Sequence, residues 1–396
     1  MNAPLNALNE MQRLTSPFPE SVAVKEWKAT GRFVIGWFNP YVPEEIIHAA
    51  GMLPFEVTGN NEPVQMQGAE AHIYSNSCSK IRTCWQMQLD GKYNFLDGYV
   101  STHMCDQDMR LYEVWSYYKK LPFMELIYAP RKRDEEAVRL YLKDLEGFRD
   151  RLSQYLICRI PDQRVADSIK LYNRGRELMM QLYELRKRDR PPVTGAEAVE
   201  VSKAAARMPR ERFNELMEQL LAEIKSTGRE IKRARRLMLI GNDLHNTTQI
   251  TALESKDAVV VIDEMDIGVR RAWGQVDTKL PPMEALARHY VMGRPVDKHT
   301  WNSDGRLEFI GEMAEQYKVD GVVSQAVRFC TYLGWDKFDL KKQLQELGIP
   351  ILELDLEYGH PGGAQMKIRA EAFMEMLESR VSSGTKRSAA KTALPT

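Results

Sequence analysis

Four compact apolar runs in the second half of the chain constrain its fold more than any other feature: RLMLIG (236–241), AVVVID (258–263), VDGVVSQAV (319–327) and IPILELD (349–355). Runs of this length and type suit strands buried on both faces of a sheet. Helical stretches alternate with them: TTQITALESKD (247–257), DGRLEFIGEMAEQY (304–317) and AQMKIRAEAFMEMLE (364–378). Strand–helix–strand alternation predicts a parallel sheet with helices on both sides. The first half carries the same rhythm from Trp27 to about Pro130. PEEIIHAAG (43–51) reads as a helix, with Pro43 suited to its first turn and Gly51 to its end. MLPFEVTG (52–59) and DGYVSTHM (97–104) read as strands.

Between the two halves the texture changes. RKRDEEAVRLYLKDLEGFRDRLSQYL (131–156) sets Val138, Tyr141, Leu142 and Leu145 at helical spacing among charges. SIKLYNRGRELMMQLYELRKRD and ERFNELMEQLLAEIKSTGREIKRARR repeat that texture, and PPVTG (191–195) interrupts it. These charges read as solvated helix faces. The expected organisation is a flexible arm (1–20), an N-terminal α/β lobe (21–130), a helical segment (131–236), a C-terminal α/β lobe (237–378) and a disordered tail (379–396). The fold class is α/β: two Rossmann-like parallel-sheet lobes with an added helical segment between them. One short echo bears on this. Asp97-Gly98-Tyr99-Val100-Ser101 recurs as Asp320-Gly321-Val322-Val323-Ser324, and a cysteine follows each copy. Chance and duplication both account for five residues.

Lys plus Arg and Asp plus Glu number 55 each, so the chain lacks the basic excess of nucleic-acid or membrane-surface proteins. No apolar stretch reaches the length of a membrane span, and MNAPLNALNEMQRL has no secretory pattern. A cytoplasmic location is expected. G-x-x-x-x-G-K-[ST], G-x-G-x-x-G, H-E-x-x-H and C-x-x-C are all missing, so any nucleotide hydrolysis belongs to another chain.

Five cysteines remain as candidates for chemistry. Ser75, Asn76 and Ser77 can cap a helix in whose first turn Cys78 would sit, where the helix dipole favours thiolate. Cys84 is turned about 240° from Cys78 on a regular helix and reads as packing. Cys105 and Cys330 each follow a copy of the echo strand, in the region where open α/β sheets collect ligands. Cys158 reads as core on a helical apolar face. Buried free cysteine is the bland reading of all five. Against it, Cys78, Cys105 and Cys330 all fall at strand ends or helix starts. Three thiolates cannot close a tetrahedral zinc site, but they can hold an iron–sulfur cube and leave one iron open. His103 and His360 could relay a proton, and Gly359, Gly362 and Gly363 could admit backbone N–H groups to an anion.

The pieces GWFNPYVPEEIIHAAGMLPFEVTG, SNSCSKIR, DGYVSTHMCDQDMR, VDGVVSQAVRFC and GGAQMKIRAEAFMEML together resemble the 2-hydroxyacyl-CoA dehydratase/benzoyl-CoA reductase family over residues 20–380. The resemblance implies one [4Fe-4S] cluster on Cys78, Cys105 and Cys330, some relatives holding a larger double-cubane cluster instead. It implies low-potential single-electron chemistry on an acyl-CoA. Implied partners are a paralogous larger iron–sulfur subunit, ATP-hydrolysing iron–sulfur activator-type subunits and reduced ferredoxin as donor. GWFNPYVPEEII and THMCDQDMR lie nearest the smaller, non-ATPase subunit of ATP-dependent benzoyl-CoA reductases, which dearomatise benzoyl-CoA to a cyclohexadiene-carbonyl-CoA. A radical 2-hydroxyacyl-CoA dehydratase subunit is the alternative. A non-catalytic assembly subunit, with the helical segment as its docking surface, is the alternative of another class.

Overall fold

The computed structural model describes residues 4–60, 62–233, 235–242, 247–254, 257–300, 303–359 and 363–382. Their eight strands build two four-stranded parallel sheets. The N-terminal sheet contains β1 (Val34–Trp37), β2 (Leu53–Glu56), β3 (Gly98–Thr102) and β4 (Phe123–Ile127), in the order β2-β1-β3-β4. The C-terminal sheet contains β5 (Arg235–Gly241), β6 (Ala258–Glu264), β7 (Gly321–Val327) and β8 (Ile351–Leu356), in the order β6-β5-β7-β8. The two orders are the same. Each chain path runs outward from the centre, returns, and leaves on the other side, so each sheet has a switch point between its two central strands.

The Asp-Gly echo is a structural device used twice. Asp97 accepts the Val34 N–H through its carboxylate at 2.8 Å and donates its own N–H to the Val34 carbonyl. Asp320 treats Arg236 the same way, with a side-chain bond of 2.8 Å. Each aspartate thus locks the entry of one central strand to the other. The following glycine is required by packing. A Cβ on Gly98 would lie 2.8 Å from the Phe123 carbonyl oxygen, and one on Gly321 would lie 2.9 Å from the Phe373 ring.

Four long helices, Glu135–Leu156, Asp162–Leu185, Gly195–Arg207 and Arg210–Thr227, form the segment between the sheets. Val138, Tyr141, Leu145, Phe148 and Leu152 make the buried stripe of the first, and Asp134 caps it by accepting the Ala137 N–H. Leu142 lies beside that stripe, half-buried. PPVTG ends in a capping box of Thr194 and Glu197, so the interruption is itself a helix start. The expected arm is a correction. Residues Asn6–Leu14 form a helix that buries Leu8, Met11 and Leu14 against Gly195–Arg207 and Arg210–Thr227, and Glu223 accepts the Ala7 N–H. Its apolar spacing of three and four is hidden among polar residues. Likewise the last helix runs Gly363–Ser382, past the expected start of the tail at 379; residues 383–396 lie outside the described residues. No helix among the described residues is long and apolar enough to cross a membrane.

Candidate functional site

The two switch points open onto one cavity of about 60 Å³, lined by Cys78, Cys105 and Cys330. That space exceeds what one or two waters need. Each of the three cysteines is the residue that immediately precedes a helix: Cys78 before Ser79–Leu89, Cys105 before Asp106–Tyr118 and Cys330 before Thr331–Glu346. Cys105 follows β3 and Cys330 follows β7, the matching strands of the two sheets. Ser75, Asn76 and Ser77 do not cap the helix at Cys78; the cysteine itself occupies the capping position.

Cross-braces join the three turns. The Cys78 N–H donates to Gln107 Oε1 at 3.1 Å, tying it to the turn of Cys105. Tyr332 donates its hydroxyl to the Met104 carbonyl at 2.6 Å, and Arg131 donates to the same oxygen at 3.0 Å. One lobe thereby holds the chain beside Cys330 to the residue before Cys105. Ser79 Oγ accepts the Tyr358 N–H at 3.0 Å, and Arg82 pairs with Glu357 at 3.1 Å. Asn242, just past β5, donates to Cys330 Sγ at 3.8 Å.

Electrostatics correct one expectation about Cys78. Burial pushes its thiol up to about 11, with Cys330 nearby adding to the rise, and the first amides of its helix offset this only in part. Cys105 is pushed up as well, by burial and then by the charge of Asp108. Desolvation therefore outweighs the helix dipole, and without a cation these two thiols stay protonated. The wall opposite is polar. Asp108, raised to about 6 by burial, accepts from Asn39 Nδ2 at 2.7 Å. Burial also acts against Asp266, but the Lys298 ammonium at 2.6 Å and His299 hold it down at about 2. His299 is buried, its Nδ1 3.5 Å from Asp297 and its ring edge-on to Tyr332 at 4.9 Å.

Sequence reasoning missed Asn39, Asn242, Asp108, Asp266, Lys298 and His299. A signal existed for the asparagines: each lies within two residues of the end of the first central strand of its lobe, in WFN and IGN. His103 lies elsewhere. It lines a separate groove with Tyr128, whose ring it meets at 4.6 Å, and burial lowers its pKa. His360 and Gly362 lie outside the described residues; Gly359 has φ +78°, and a Cβ there would meet Met66 at 2.6 Å, so its place is set by packing. Cys84 is fully buried in the N-terminal core, as expected. Cys158 is a correction: it is exposed in the turn after Glu135–Leu156, because Ile157 adopts φ +51° and ends the helix before it.

The donor set fits an iron–sulfur cube. No group of three His, Cys, Asp or Glu among the described residues gathers closely enough to hold a single metal ion. A cube has no such need, because each thiolate binds a different iron. Soft sulfur donors in a buried cavity suit iron–sulfur chemistry, and three of them leave one corner free.

A duplicated α/β protein with a thiol-lined cavity between its switch points is thus the class that fold and site define. Residues 39–377 match the family described as 2-hydroxyglutaryl-CoA dehydratase, D-component, and the chain belongs to that family. Among its relatives, the (R)-phenyllactyl-CoA dehydratase beta subunit of Clostridium sporogenes is 25% identical over 361 residues, covering 91% of this chain and 96% of that one. A benzoyl-CoA reductase subunit of Thauera aromatica is 25% identical over 357 residues, covering 88% and 92%. The (R)-2-hydroxyglutaryl-CoA dehydratase beta subunit of Acidaminococcus fermentans is 23% identical over 380 residues, covering 94% and 100%.

Proposed function

We propose that this chain is the iron–sulfur subunit of an ATP-dependent benzoyl-CoA reductase, with Cys78, Cys105 and Cys330 holding one [4Fe-4S] cluster. The observation that carries the reading is the meeting of three helix-start cysteines, from three separate parts of the chain, on one cavity. When bound, the cluster supplies single-electron transfer at low potential and an iron with an open position. The chain supplies the rest. Its thiolates bind, and three helix N-termini face the negative charge they bring. Burial excludes water. Asp108 holds a proton on its carboxyl below about pH 6. His299 offers a ring nitrogen beside the same space, with Asp297 at Nδ1. The reaction delivers two electrons and two protons to the ring of benzoyl-CoA and yields a cyclohexadiene-carbonyl-CoA.

The partners this reading requires are a paralogous larger iron–sulfur subunit, ATP-hydrolysing iron–sulfur subunits, reduced ferredoxin as donor and an aromatic acyl-CoA. Three relatives are themselves subunits, one of a benzoyl-CoA reductase and two of dehydratases, which supports a multi-chain assembly. A second reading, a radical 2-hydroxyacyl-CoA dehydratase subunit, is favoured by the family's description and by two of those relatives.

One experiment separates these readings. The chain is purified without oxygen, its iron is counted, and it is combined with its partner subunits, ATP and a reduced donor. About four iron per chain is expected, a double-cubane cluster giving roughly twice that. Diene from benzoyl-CoA supports the reductase, and enoyl-CoA from a 2-hydroxyacyl-CoA supports the dehydratase. Full turnover by Cys105→Ser, or by an iron-free chain, would leave only an assembly role.

A further inference from the structure

We infer that Asn242 is a positioning residue for Cys330 that also sets the reduction potential of whatever iron–sulfur group that thiol holds. The inference rests on the cluster reading above. Asn242 is fixed at four points: its Oδ1 accepts the Val327 N–H at 2.7 Å, and its Nδ2 donates to Cys330 Sγ at 3.8 Å. Its backbone N–H donates to the Gln325 carbonyl at 3.1 Å, and its own carbonyl accepts from Gln325 Nε2 at 2.7 Å. The carboxamide therefore spans from the end of β5 to the end of β7 and reads both the turn and the sulfur.

The local backbone is built to put it there. Gly241 has φ +118°, and a Cβ at that position would lie 2.0 Å from the Gln325 carbonyl oxygen, so only glycine lets β5 deliver the next residue this close to β7. The other lobe supplies the comparison. Asn39, two residues past the end of β1, donates its Nδ2 instead to the Asp108 carboxylate at 2.7 Å. The asparagine past each first central strand thus has a different partner: Asn39 addresses a carboxylate, Asn242 a cysteine sulfur.

A hydrogen bond to a cluster's thiolate favours the reduced, more negative state and raises its potential. Asn242→Asp keeps the acceptor for Val327, removes the N–H to sulfur and adds negative charge. In the full chain, purified without oxygen, this variant should keep its iron and shift the reduced-to-oxidised ratio at a fixed potential about tenfold toward oxidised. That equals about 59 mV for one electron. Asn242→Ala should shift it the same way by less. An EPR-monitored titration reads both, with circular dichroism confirming the fold. Loss of iron from a folded variant contradicts that expectation and overturns the claim that Asn242 sets the potential. Iron retained with an unchanged midpoint in either variant overturns the inference. An iron-free wild-type chain overturns the cluster reading instead, and the two failures are distinguishable.

Discussion

Two cysteine-to-serine changes should produce opposite phenotypes. Cys105 is half-buried and precedes Asp106–Tyr118, and its thiol makes no capping hydrogen bond. Serine ranks among the best residues for that position and gains up to ~1 kcal/mol there. Cys105→Ser should therefore leave the metal-free chain as stable as before, its melting temperature within about 1 °C, while removing the iron. Cys84 is fully buried among apolar side chains. A hydroxyl there loses about 1–3 kcal/mol if unpaired, and a bond back to the Lys80 carbonyl trims this toward the lower end. Cys84→Ser should then cost about 2 kcal/mol, or roughly 2–3 °C for a chain of this length, and keep the iron. The assay pairs iron and sulfide content after anoxic purification with thermal melting of chelator-stripped protein. Wild-type iron in Cys105→Ser would refute the ligand assignment. Unfolding of that variant together with iron loss from Cys84→Ser would refute the separation of the two roles.

Two further perturbations test the walls of the site. Tyr332→Phe removes the 2.6 Å bond to the Met104 carbonyl but leaves Arg131 on that oxygen, so the loss is about 1 kcal/mol. Iron should leave to a chelator roughly fivefold faster, which a ferrozine time course reads. Asp108→Asn tests the raised carboxyl. In the metal-free fold its pKa stands at about 6 against an ordinary 3.8, so the folded chain binds that proton more tightly than the unfolded one. Stability is therefore lost as pH rises from about 4 to about 6 and stays lower above. The substitution should add about 3 kcal/mol at pH 7.5 and under about 1 kcal/mol at pH 4, as urea melts at the two values would show.

Strands β2, β3 and β5 to β8 were legible because each is a compact apolar run bounded by turn residues. β1 and β4 were not. Val34–Trp37 and Phe123–Ile127 are only four and five residues long and merge with apolar neighbours such as Phe38 and Tyr128, so no alternation or boundary marks them. The three cysteines could be chosen from their places at strand ends and helix starts. Their convergence required knowing that the lobes face one another, which no local pattern encodes. His299 shows the same limit from the other side. It lies in VDKHT, a loop without periodicity, and reaches the cavity only because Arg270 holds the carbonyls of Pro295 and Val296. His103 had the better sequence argument, two residues from a cysteine, yet the turn after β3 aims it into the neighbouring groove.

The strongest support for a functional rather than a packing role comes from a rule broken three times. A helix start prefers Ser, Thr, Asp or Asn, and forgoing them leaves about 1 kcal/mol unrealised at each. This chain places cysteine at that position before Ser79–Leu89, Asp106–Tyr118 and Thr331–Glu346, and none of the three thiols makes a capping hydrogen bond. Free cysteines kept for packing should scatter through cores, as Cys84 does, or sit at indifferent surface turns, as Cys158 does. Instead, three forgone caps point into a single cavity, where burial keeps two of the thiols protonated until a cation replaces the proton. On the cluster reading, metal binding there would release protons and would weaken as pH falls. On the same reading, thiolates holding the proposed cluster would take up the unsatisfied amides and dipoles of three helices at once, so each local loss would become part of the site's affinity for a negatively charged group.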